Sequence, residues 1–280
     1  AFKSIAKNNF LTGLLSVPLQ VGMTYFLGLQ GAIIGLATHL CLLFIFHTRS
    51  VRKTARQAGI TIRFREAWPE WPILYRFSLP SLLSGILVTP VLWICNTMLV
   101  NIPDGYGEMA VYDAANQWRS AILFIPATLS QIALPLLAGS RQNSQKFFKI
   151  LKLNILLVTL IATLMSAIVA LFSGTIMGLY GKGFSGGSLV LVFLAISTIM
   201  FAVSDILGKA VAGQGRMWIG FAVNAVWALV MIVSTRWLLN EGMGALGMAV
   251  AGNLAYLVLI LLLLFIVTKS YRSVTETPAP

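Results

Sequence analysis

The chain has 280 residues, 58% of them hydrophobic and 10% charged, with a mean hydropathy of +0.87. A soluble domain carries about 25% charged residues and cannot hide so large an apolar share, and a disordered chain is poor in apolar residues. Both classes are excluded, which leaves an all-α integral membrane protein of many spans. The net charge of +12 would suggest nucleic acid in a soluble protein. Here it is explained by Lys and Arg gathered in loops on one membrane face, so no nucleic-acid partner is expected.

A membrane helix needs about 20 mostly apolar residues. Eight such runs follow along the chain: 9–28, 30–47, 74–101, 117–138, 150–172, 189–211, 217–238 and 245–267. Almost nothing separates the first two, which predicts a tight hairpin. Pro18 lies in the first run, Pro80 and Pro90 in the third, Pro126 and Pro135 in the fourth. Each proline removes a helix hydrogen bond, so breaks or bends are expected at these positions. With the N-terminus in the cytosol, 17 basic residues fall on the inner side and only Arg119, Lys182 and Arg236 on the outer. That asymmetry puts both termini in the cytosol.

Segment 48–72 is the longest polar connection, basic and marked by Trp68 and Trp71. It reads as a linker lying on anionic lipid headgroups. Cys41 and Cys95 sit inside apolar runs and read as packed or lipid-facing filler. His39 reads as packed or lipid-facing, and His47 as interfacial.

Gly28-Leu29-Gln30-Gly31 is repeated, 216 positions on, by Gly244-Ala245-Leu246-Gly247, and Asn8 by Asn224. Hairpin 8–48 therefore looks like a copy of hairpin 224–264. If six spans from 74 to 267 make one lobe, the first hairpin ends an equivalent lobe. The repeat then predicts four further spans before residue 1, roughly 140 residues; a complete eight-span protein is the competing expectation.

Several segments taken together resemble a known family. They are Arg76-Phe77-Ser78-Leu79-Pro80, Val111-Tyr112-Asp113-Ala114-Ala115-Asn116-Gln117-Trp118, Ile125-Pro126, Ala133-Leu134-Pro135, Gly213-Gln214-Gly215-Arg216 and Gly244-Ala245-Leu246-Gly247. In order and spacing they resemble the polysaccharide-transporter branch of the multidrug/oligosaccharidyl-lipid/polysaccharide (MOP) exporter superfamily, the Wzx-type flippases of O-antigen or capsule.

The resemblance implies a two-lobe bundle like that of the MATE transporters. Residues 1–48 would be the last two helices of the first lobe, 49–72 a cytosolic linker, 73–268 a six-helix second lobe and 269–280 a cytosolic tail. It implies a bacterial inner-membrane protein, not an enzyme. Its cargo would be an undecaprenyl-pyrophosphate-linked oligosaccharide repeat unit, flipped by alternating access. Anionic phospholipids, and the polysaccharide polymerase with its chain-length machinery, are the other partners expected. No cofactor is expected, save a coupling ion, H+ or Na+.

A diphosphate and a glycan cannot cross hydrocarbon without a polar, cationic path. Arg76, near the inner end of the third run, either meets the diphosphate or snorkels to headgroups. Arg119 is placed near the outer start of the fourth run, beside Asn116 and Gln117. It either receives the headgroup or glycan or anchors at the interface, with Asp113 available to neutralise it. Asp205 and Lys209 share a helix face at i, i+4. They are either a structural ion pair or a gate, with Asp205 as the coupling acid and Lys209 as a cargo contact. Asn96, Asn154, Asn224, Asn253 and Gln131 read mainly as interhelical hydrogen-bonders. Tyr112, Trp118 and Trp93 offer rings to stack on sugars or form an interfacial belt. Rival readings are a drug/cation antiporter of the same superfamily, a lipid II flippase and, from another class, a membrane glycosyl polymerase or acyltransferase. The last lacks clustered His and acidic residues for general acid–base or metal chemistry.

Overall fold

The computed structural model describes residues 2–57, 59, 69, 71–140 and 143–275. Most of the expected interfacial linker, with Trp68, and the end of the tail lie outside the described residues. Among those residues, seven helices are long and apolar enough to cross a membrane, the first over Lys7–Gln57. The chain divides into two compact units, Ala1–Trp71 and Pro72–Pro280.

The first unit is built on α1 (Phe2–Gln57), continuous except at Gly28, whose φ of 56° and ψ of −135° reverse the chain. Two antiparallel arms result, each long enough to span a bilayer, so the expected hairpin is present. Gly28 supplies the positive φ that an L side chain resists. Gly31 supplies the close approach, since a Cβ there would collide with the Met23 carbonyl. Polar side chains then lace the arms together. Asn8 Nδ2 donates to the Phe46 carbonyl at 3.1 Å, His39 bonds Ser16 at 2.8 Å, and His47 bonds Asn9 at 2.9 Å. Both histidines are therefore arm-to-arm ties. α1 also runs nine residues beyond 48, the expected start of the linker, to Gln57. Hydropathy detects the apolar stretch alone, while Arg49, Arg52, Lys53 and Arg56 extend the helix with cations at its C-terminal, negative end.

The short α2 (Trp71–Ile73) straddles the boundary between the units, and the second unit continues with a π-helical turn at Leu74–Ser78 and α3 (Leu79–Val100). The π turn precedes Pro80, and Leu79 N–H closes it on the Leu74 carbonyl. A widened turn gives the proline ring room where a regular one would crowd it. There follow α4 (Gly105–Ala138), α5 (Ser144–Leu171), α6 (Ser173–Leu179), a 3-10 segment at Lys182–Gly187, α7 (Ser188–Gly213), α8 (Met217–Asn240) and α9 (Gly244–Thr275). Pro18, Pro90, Pro126 and Pro135 end no helix, since α1, α3 and α4 run on through them. Each proline deletes one rung, and the rungs above and below hold the helix.

α7 is the central post, packed against α4, α5 and α9, while α8 joins α9 to α3. Its buried Ala195, Ser197, Thr198, Ala202, Ser204 and Ala210 let neighbouring backbones come close, the usual packing device where no hydrophobic force drives helices together. Leu99, Ile122, Leu137, Leu191, Ile206 and Met248 fill the interior. Outward faces are apolar as well, with Phe124, Leu164, Leu171 and Leu229 exposed, as suits a surface solvated by lipid. The hairpin of α8 and α9 again turns on a glycine, Gly244 at φ 54°.

Candidate functional site

The second unit holds a cavity of about 450 Å³, walled by α3, α7, α8 and α9 and touched by Leu134 of α4. Its wall is largely apolar. The polar groups on it include Ser81, Ser84, Ser204, Asp205, Lys209, Arg216, Asn224 and Tyr256.

Asp205 and Lys209 project into this cavity from one face of α7. Lys209 Nζ lies 2.6 Å from Asp205 Oδ2, with about a quarter or less of each side chain exposed. Ser130 of α4, itself buried, lies between them, donating to Asp205 and accepting from Lys209. The pair is thus clamped across two helices, and the hydroxyl satisfies part of what burial takes from each charge. Ser130 escaped notice in the sequence, where a lone serine in an apolar span carries no signal.

Arg119 lies further along its helix than the apolar run alone suggests. Helix α4 begins at Gly105, well before the apolar run at 117. Arg119 therefore lies about four turns, roughly 21 Å, along the helix. Its Nε donates to Ser197 Oγ at 3.2 Å, and its Nη2 donates to the Tyr256 hydroxyl at 3.2 Å. Its guanidinium lies 5.8 Å from the centre of the Phe201 ring. The expected neutralisation by Asp113 is not made. Six residues turn a helix by about 240° at 3.6 per turn, so the two side chains diverge, and Asp113 is exposed. Among the described residues Arg119 pairs with no carboxylate.

The other candidates scatter. Arg76 is exposed on the π turn and does not line the cavity, although its neighbour Phe77 does. Asn116 is half-buried and Gln117 exposed. Trp118 donates its indole N–H to the Tyr180 hydroxyl at 3.2 Å, Tyr112 is buried and Trp93 exposed. Asn253 donates to the Phe193 carbonyl on α7 at 3.0 Å, an interhelical bond of the expected kind. Asn154 bonds its own helix at the Ile150 carbonyl, 2.8 Å away. Arg216 and Asn224, read as a loop cation and a packing residue, both reach the cavity wall.

This bundle of apolar helices holding a partly polar, charge-bearing cavity is a membrane-protein fold that solved transporters of the MOP type share. The chain is similar to a mutant of the Vibrio cholerae MATE transporter VcmN, with a TM-score of 0.77 at 15% identity over 94% of this chain and 61% of that one. It is also similar to the lipid II flippase MurJ in its inward closed conformation, with a TM-score of 0.66 at 13% identity over 97% and 62%. MATE transporters are members of the MOP superfamily. No family model matches the chain. A curated relative, the EPS I polysaccharide export inner membrane protein EpsE of Ralstonia nicotianae, is 30% identical over 212 residues, 75% of this chain and 48% of that protein. At that identity and coverage the chain belongs to the family of these polysaccharide export inner membrane proteins, and its fold is that of a MOP-superfamily transporter. It spans about half the length of the curated relatives it matches.

Proposed function

We propose that the protein moves an undecaprenyl-pyrophosphate-linked oligosaccharide repeat unit across the bacterial inner membrane by alternating access, without chemical change to its cargo. The observation that carries this reading is the cavity with Lys209 and Arg216 on its wall in a relative of polysaccharide export proteins. Cations on that wall offset the cost of bringing a diphosphate away from water. The polyprenyl tail stays in lipid, which is its own solvent.

In this reading Lys209 and Arg119 meet the cargo at different depths, with Asn116 and Gln117 on the approach along α4. Arg76, exposed at the end of the bundle, takes anionic headgroups or the incoming diphosphate. Asp205 holds Lys209 in place until a better anion displaces it, which makes the pair a gate driven by cargo or by H+ or Na+. A drug/cation antiporter is less well supported, because Asp205, the acid on the cavity wall, is already matched by Lys209.

The test is a deletion host analysed for undecaprenyl-pyrophosphate-linked glycan. Single repeat units should accumulate on the inner face. The full-length gene should restore export, and a Lys209→Ala copy should not. Normal glycan levels together with altered drug sensitivity would replace this reading with the antiporter.

A further inference from the structure

The cavity carries a belt of polar groups partway along it. α3 and α8 start at the same end of the bundle, where Tyr75 packs on Trp218 with ring centres 5.4 Å apart. α7 ends there too, at Gly213, one short turn before α8 begins at Met217. Ser84 comes seven residues after Phe77, Asn224 eight after Arg216, and Asp205 seven before Ala212, all on the cavity wall. At about 1.5 Å per residue the three stand at one level, roughly 10–12 Å in from that end. Beyond the belt the wall holds Val88, Phe201 and Tyr256, and before it Lys209 and Arg216 lie among Phe77, Met217 and Leu263.

The belt mixes donors and acceptors and has capacity to spare. The hydroxyls of Ser84 and of Ser81, one turn below it, and the Asn224 amide make no hydrogen bond to another described residue. An amide in a membrane helix is usually kept as a tie to a neighbouring helix, as Asn253 is. Asn224 makes no such tie, and it faces the cavity. Lys209 and Ser130 both meet Oδ2 of Asp205, which leaves Oδ1 to accept. Asn224 offers two donors and an acceptor, and each serine can give and take. A diphosphate at neutral pH only accepts, and at this level it would face the Asp205 carboxylate. A neutral sugar ring gives and takes hydrogen bonds around its edge, and its C–H faces suit the apolar wall on either side. The cavity, at about 450 Å³, is of small-molecule size.

We propose that Asn224, Ser84 and Asp205 form a belt that reads the hydroxyls of a neutral sugar of the cargo. Asn224 donates and accepts from α8, Ser84 does so from α3, and Asp205 Oδ1 accepts from a hydroxyl while Oδ2 keeps Lys209. Lys209 and Arg216, nearer the end of the cavity, are left for the diphosphate. This rests on the reading of the cavity as a path for a lipid-linked glycan, and adds to it the residues that select the sugar.

The test is a saturation-transfer NMR titration of the full chain in a detergent without a sugar headgroup. The probes are methyl glucoside, methyl galactoside, methyl mannoside and methoxytetrahydropyran, which keeps the ring without free hydroxyls. At least one hexoside is expected to bind about tenfold more tightly than methoxytetrahydropyran, the combined effect of several hydrogen bonds. Inorganic pyrophosphate should not displace it. Asn224→Leu and Ser84→Ala should each weaken hexoside binding about fivefold, the effect of one or two hydrogen bonds. Because the Asn224 amide bonds no other described residue, Asn224→Leu should melt at or above the wild-type temperature. Binding of none of the hexosides, equal binding of methoxytetrahydropyran, or undiminished hexoside binding by either variant would overturn the proposal. So would displacement by pyrophosphate, or a marked fall in the melting temperature of Asn224→Leu, which would make Asn224 a packing residue. Failure of the underlying flippase reading shows separately, as a deletion host that accumulates no lipid-linked repeat unit while the hexoside preference and its loss in Asn224→Leu still stand.

Discussion

The Glu108 carboxylate, on the first turn of α4, accepts the backbone N–H of Ala245 at 2.6 Å, on the first turn of α9. One side chain so joins the starts of two helices that are 137 residues apart in sequence. It satisfies a donor that the α9 N-terminus would otherwise leave free, and its charge lies against the positive end of that helix.

Glu108→Ala is therefore expected to lower stability by about 1–2 kcal/mol, the usual cost of a lost N-cap. Glu108→Gln, which keeps an acceptor oxygen but not the charge, should lose less. Thermal melting in detergent ranks the three proteins. Equal melting of all three would show that the contact contributes nothing.

The ion pair offers a test of its own. Lys209→Met strands Asp205 beside Ser130, and about 1–3 kcal/mol should be lost, less than for a fully buried pair because both groups are partly exposed. Adding Asp205→Asn should recover part of that loss, since the double variant buries no unmatched charge. Melting temperatures of the two singles and the double close the cycle. Additive losses would mean that the groups do not couple.

In the first unit, Gly31→Ala should open the hairpin. A Cβ at this position meets the Met23 carbonyl, which is backbone and cannot swing aside. The expected result is a sharp fall in the yield of monodisperse protein on size exclusion. Gly22→Ala is the control, because a Cβ there meets nothing within 4 Å.

Arg119→Lys keeps the charge and loses the fork that reaches both Ser197 and Tyr256. An ammonium group on a shorter reach cannot hold both hydroxyls and sit over the Phe201 ring as the planar guanidinium does. Complementation of glycan export in a deletion host should drop to a small fraction of wild type while the melting temperature moves by only a few degrees. Full complementation would reduce Arg119 to a point charge.

The sequence by itself determined the membrane class, the number of apolar runs, the tight hairpin at Gly28 and the family resemblance. These are local matters: a run of about 20 apolar residues spans a bilayer whatever surrounds it, and a glycine at a turn is visible in the sequence. The i, i+4 spacing of Asp205 and Lys209 likewise placed them on one face without reference to another helix. What only the tertiary structure decided is which polar groups meet. Ser130 lies between Asp205 and Lys209 because α4 packs on α7. Arg119 finds Ser197 and Tyr256 because α4, α7 and α9 converge at one depth. Hydropathy shows only the apolar part of a helix, so α4 begins 12 residues before the apolar run at 117, and Arg119, expected near the start of its span, lies about four turns into the helix. Hydropathy records what a segment is made of, whereas the facing of a side chain depends on the rotation of its helix against neighbours far away in sequence.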